Sequence, residues 1–160
     1  MEMIQNENTF CTSKAGLTGI SGGATTFSTG SLTLQYCILG KAYNLTQQSG
    51  AATPTTDIVT GVAFVPLAAN QGTVWVFGVD ASGTVSIGQG SIEALDSAGA
   101  FYRAPQFPIV PDTVCPFAYV VAKDGSTGGA FTVGTTNWNV TGMTYSVQDI
   151  FSVPTRPQIA

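Results

Sequence analysis

The run Thr73-Val74-Trp75-Val76-Phe77-Gly78-Val79 is β-branched or aromatic at every position but Gly78. Such side chains lose rotamer freedom in a helix and fit the pleated surface of a sheet. No segment repeats apolar residues at the helical period over three turns, and residues 91–96 offer one turn at most. Leu32, Leu34, Tyr36 and Ile38 alternate with Thr33, Gln35 and Cys37, the pattern of a half-buried strand. Residues 58–65 read as a second strand, stopped by Pro66. Asp80-Ala81-Ser82-Gly83 has Asp first and Gly last, which fits a type I turn closing a hairpin between residues 73–79 and 84–87. Residues 114–122 and 130–133 read as a further hairpin pair across a Gly-rich loop, and residues 144–147 as a weaker strand. These short strands between turn clusters predict an all-β fold, a single β-sandwich or barrel-like domain.

Residues 1–30 differ from the rest. They are rich in Gly, Thr and Ser, with apolar residues standing singly. This predicts an extended N-terminal arm on a β-rich domain of residues 31–160. Ile4, Phe10, Leu17, Ile20 and Phe27 are spaced like anchors and not like one face of a helix, so they are expected to touch a partner or a neighbouring subunit. Trp138, between Asn137 and Asn139 in a loop-like stretch, joins them as an expected partner contact. Pro105, Pro108 and Pro111 recur every third residue, the repeat of polyproline II. Because strands flank this segment, it is expected to be a rigid crossover, with Phe107 packed on the β-core.

The chain has no histidine, five basic and nine acidic residues, and a formal net charge of −4. Without histidine, Ser-His-Asp and Cys-His catalysis are excluded, and a zinc site would need thiolates and carboxylates alone. The scattered cations form no basic run, and the acidic balance argues against nucleic acid and anionic membranes. No apolar stretch reaches the length of a membrane helix, so no membrane partner is expected. The polar, acidic start resembles no signal peptide, which predicts synthesis in a cytoplasm. Cys11, Cys37 and Cys115 form no C-x-x-C spacing and are expected to be reduced thiols. Gly88-Gln89-Gly90 lacks the third glycine and the helix of a dinucleotide loop. Asp80, Asp96, Asp112 and Asp124 stand at predicted turns, where Asp bonds nearby backbone N–H groups. No catalytic, cofactor-binding or metal residue is therefore assigned.

Three stretches carry a family resemblance. The first is the succession from Tyr36 to Gly40-Lys41-Ala42-Tyr43, then Thr60-Gly61-Val62-Ala63-Phe64, then Val79-Asp80-Ala81-Ser82-Gly83-Thr84-Val85 and Gly88-Gln89-Gly90. The second runs from Pro105 through Pro111-Asp112-Thr113-Val114-Cys115-Pro116 to Tyr119, and the third is the ending from Asp149 to Gln158. Together they resemble tailed-bacteriophage virion proteins of the capsid decoration, cement or head-fibre type. The resemblance implies a non-enzymatic structural protein, without cofactor, made in the bacterial host cytoplasm. It implies a place on the capsid surface of the virion, a major capsid protein as partner, and a homotrimer. Two alternatives remain open at this point. One is a tail-fibre or receptor-binding module recognising host surface glycan. The other is a small carboxylate-based glycan hydrolase using Glu93 with Asp96 or Asp112.

Overall fold

The computed structural model describes residues 9–127, 129–151 and 157. Among them are strands, bridges and turns but no helix, so the chain is all-β. The strands are β1 (Phe10–Cys11), β2 (Thr26–Phe27), β3 (Leu34–Ile38), β4 (Lys41–Leu45), β5 (Ala51–Ala52), β6 (Gln71–Asp80), β7 (Val85–Gln89), β8 (Glu93–Ala94), β9 (Val114–Asp124) and β10 (Met143–Asp149). They pair antiparallel throughout. The main sheet has the order β10-β9-β6-β7, with β8 also on β6, while β1-β3-β4 and β2-β5 form two smaller sheets.

The β6 run is buried continuously from Gly72 to Val79 because both faces of the main sheet are covered. On one face Trp75, Phe77, Val79, Val120 and Ala122 join Phe27, Leu34, Tyr36, Ile38 and Leu45 of the smaller sheets in one core. On the other face Val74, Val76, Tyr119 and Val121 form a second cluster with Ile150, covered by Phe101, Phe107 and Val110. The sheet is thus the middle layer of a sandwich. The smaller sheets lie on one side and the proline crossover on the other. Phe107 meets Tyr119 edge-on at 5.1 Å between ring centroids, which places the crossover as expected.

Pro116 stands inside β9, a position that normally rejects proline. The β6–β9 register shifts there, with Phe77 opposite Ala118 but Gly78 opposite Pro116. The extra residue, Phe117, forms a bulge and still reaches the core beside Phe77. Gly78 makes the bulge fit, since a Cβ there would meet Val114 Cγ1 at 2.5 Å.

Several expectations need correction. Residues 58–65 are turns and a bridge, not a strand. Residues 130–133 contribute only the bridge Leu67↔Phe131, and β9 pairs instead with β10 and β6. Leu32 is exposed, so the alternating strand begins at Leu34. The larger correction concerns the N-terminal segment. Residues 9–30 hold only two two-residue strands, and residues 15–30 turn back on themselves through the antiparallel bridge Thr18↔Ser28 and the Gly30 N–H on the Ala15 carbonyl. Yet Cys11, Ala15, Leu17, Ile20 and Phe27 belong to the main core. β1 pairs with β3, the Leu17 N–H donates to Asp149 Oδ1, and Phe27 packs edge-on against Phe77 at 5.7 Å. Apolar residues placed singly along such a segment cannot build a core of their own, but they can each fill a gap in one made by other strands.

Trp138 is likewise a core residue, 1% exposed. It lies among Trp75, Phe131 and Tyr145 at centroid distances of 6.0, 5.6 and 5.5 Å. Its indole N–H donates to the Thr26 carbonyl at 3.1 Å. The ring therefore anchors the N-terminal segment, which explains an aromatic residue in a polar loop. Leu17, Ile20, Phe27 and Trp138 are thus contacts within the chain. Phe10 is exposed, and Ile4 lies outside the described residues.

Candidate interaction surface

The loop at residues 57–65 is built around a buried carboxylate. Asp57 Oδ1 accepts from the N–H groups of Val59 (3.2 Å) and Gln89 (3.1 Å). Its Oδ2 accepts from the Thr60 N–H (3.3 Å) and the Thr60 hydroxyl (2.9 Å). The backbone closes the loop with the Asp57 N–H on the Val62 carbonyl and the Gly61 N–H on the Asp57 carbonyl, both 2.8 Å. Gly61 sits at φ 71°, where glycine is unstrained. Farther along, the Gln89 side chain receives the Val65 N–H and donates to the Val65 carbonyl, each at 2.9 Å. The loop is therefore joined to the end of β7 at two places and cannot collapse onto the core without breaking these bonds.

What this scaffold displays is apolar. Val59, Val62 and Val65 are all exposed, Val62 by 62%. The proline crossover runs alongside: Ile58 and Pro108 both approach the Cα of Gly88, and a Cβ there would lie 3.5 and 3.0 Å from them. Ile109, the next residue of the crossover, is 87% exposed. A rigid loop and a stiff rod thus present neighbouring valines and an isoleucine to solvent. Scattered single hydrophobes are ordinary on protein surfaces; these are held out by a buried polar scaffold, which makes them the candidate interaction surface.

A second exposed apolar group lies at the β3–β4 turn. Leu39 and Gly40 at its tip have φ of 50° and 79°. A leucine with positive φ is strained, and strain of this kind persists where the surroundings impose it. Leu39 is 50% exposed, and its N–H donates to Thr9 Oγ1, next to exposed Phe10. Leu39, Val59, Val62, Val65 and Ile109 are not among the contacts expected from the sequence. The signal that marks the loop is Asp57-x-x-Thr60-Gly61, a turn signature inside an apparent strand.

Glu93 and Asp96, two of the carboxylates considered for hydrolysis, are otherwise engaged. Asp96 Oδ1 accepts from the N–H groups of Ala98 and Ala100, both at 2.8 Å, so it holds a turn. Glu93 accepts from the Ser91 hydroxyl at 2.8 Å and lies 4.0 Å from Arg103. Both tryptophans are buried, so neither offers a stacking face to a sugar. Among the described residues no three His, Cys, Asp or Glu side chains are grouped to hold a metal ion. No helix among them is long and apolar enough to cross a membrane. Gly88 and Gly90 are packing glycines: a Cβ on Gly90 would strike the Gln106 carbonyl of the crossover. Comparison with family models, curated proteins and solved structures finds no match to this chain.

Proposed function

We propose that this protein is a structural component of a bacteriophage virion, a capsid decoration or cement protein. In this reading it binds the outside of the head through apolar contacts, stabilises the shell and performs no catalysis. Its partner is the major capsid protein, and it attaches as a homotrimer. The observation that carries the reading is the Asp57 loop, a preformed apolar surface on a chain with few charges. Such a surface loses little conformational freedom on docking. The resemblance of residues 79–90, 105–119 and 149–158 to head-associated phage proteins supports the same assignment.

The test is to add the purified protein to phage capsids that lack it and to map them by electron cryo-microscopy. Extra density is expected on the outer shell, in threes, into which the sandwich fits. Density confined to the tail would favour the glycan-binding alternative. Binding through apolar contacts should also change little between low and high salt, because screening acts on charges.

A further inference from the structure

Cys11 and Cys115 lie 104 residues apart in the chain, yet their Sγ atoms are 3.6 Å apart and both side chains are buried. Each sulfur also faces the Pro116 carbonyl, at 3.5 and 3.8 Å. The backbone holds them there. The Cys11 N–H donates to the Phe151 carbonyl at 2.8 Å, and Cys11 pairs in register with Tyr36. Cys115 sits in β9 opposite Val79. Cys37 is placed differently. It pairs with Phe10, the residue before Cys11, and side chains alternate between the faces of a sheet. Cys37 therefore points away from the other two thiols.

We propose that Cys11 and Cys115 form a latent cross-linking site, which a small-molecule disulfide converts into a cystine tying the N-terminal segment to the central sheet. A cystine needs sulfurs about 2.0 Å apart, so closure requires the two sulfurs to approach by about 1.5 Å. The chemistry is two exchanges. One protein thiolate attacks the reagent disulfide, forms a mixed disulfide and expels one reagent thiolate. The second protein thiolate attacks the protein sulfur of that mixed disulfide and expels the other. The two cysteines lose two protons and two electrons, and the reagent leaves as two thiols. The hydrogen bond to Cys115 and burial both push the Cys11 thiol far above its ordinary range. Exchange inside the closed fold is therefore slow and proceeds when β1, two residues at a sheet edge, opens. The product closes a loop spanning most of the chain, which constrains the unfolded state more than a short loop would.

Trypsin makes the test direct, because Lys14, Lys41, Arg103 and Lys123 place the cysteines in separate peptides, 1–14, 15–41 and 104–123. The full chain is incubated with 2-hydroxyethyl disulfide at about pH 8.5, near the pKa of a free thiol. It is then alkylated, digested without reductant and analysed by mass spectrometry. The expected result is a covalent pair of peptides 1–14 and 104–123 lacking two hydrogens. The thermal midpoint of the cross-linked protein should rise, and reductant should reverse the rise. Cys37→Ser should give the same pair, and Cys11→Ala should not. Three separately modified peptides, a link involving residues 15–41, or intermolecular dimers alone would overturn the proposal. The unmutated chain reports all of these, so the result does not depend on a variant folding.

Discussion

Asp57 and Asp124 are both buried carboxylates in strongly different surroundings. Asp57 accepts four hydrogen bonds and holds a loop. Asp124 is fully buried with no partner for either oxygen among the described residues, and burial pushes its pKa up. The folded chain therefore holds the Asp124 proton more tightly than the unfolded chain does. That contribution to stability is complete below the unfolded carboxylate range, near pH 4, and is lost as pH rises through the higher folded value. Asp124→Asn should flatten this part of the pH dependence and raise the denaturation midpoint at neutral pH, as measured by urea titration across pH. Asp80 has the opposite sign. Burial acts upward on it, but hydrogen bonds from the Ser82 hydroxyl and from the Thr84, Ser82 and Gly83 backbone N–H groups outweigh burial and lower its pKa. Its contribution is present above the unfolded range and is lost as pH falls through the lowered value. For Asp57, truncation to Ala leaves buried donors unpaired and should cost about 2 kcal/mol, again read as a lower urea midpoint. The turn roles of Asp80 and Asp96 are legible in the sequence from their Gly and Ser neighbours. Asp57 is hidden because the valines after it imitate a strand, and Asp124 because a turn-flanking Asp gives no sign that a sheet will cover it.

At the scale of elements, strand identity is legible wherever the apolar pattern is long. β3, the β6–β7 hairpin, β9 and β10 all stand where alternation or β-branched runs put them. Short apolar pieces are not legible, because residues 58–65 and 130–133 take their shape from partners distant in sequence, Gln89 and Leu67. The proline crossover is legible as a rigid rod, and its energetic role can be measured. Phe107, on the crossover, is half-buried against Tyr119, so Phe107→Ala should cost about 2 kcal/mol, less than a fully buried aromatic. Gly90→Ala tests the same contact from the sheet side. Its new Cβ would meet the Gln106 carbonyl and lie 2.7 Å from Val74 Cγ1, so the crossover must lift and the midpoint should fall. An unchanged midpoint in both variants would mean that the crossover is not packed on the sheet.

For the whole molecule, the N-terminal segment changes what the chain can tolerate. A composition rich in Gly, Thr and Ser reads as an arm, yet residues 9–30 complete the core through single apolar side chains and through the Trp138 N–H bond to Thr26. Deleting residues 2–26 should therefore prevent folding rather than release an intact β-domain, and the near-ultraviolet circular dichroism of Trp75 and Trp138 should be lost. Under the capsid-binding role proposed above, attachment falls to the exposed loops and not to residues 9–30. The measurement that tests this most directly is binding of a Val59→Asp, Val62→Asp, Val65→Asp triple variant to capsids lacking the protein, beside the unmutated chain. All three side chains are exposed and no backbone bond of the loop depends on them, so the variant should keep its urea midpoint. If the valine loop is the docking surface, the unmutated chain co-sediments with capsids at a fixed ratio and the triple variant does not. Equal binding by both proteins would contradict it.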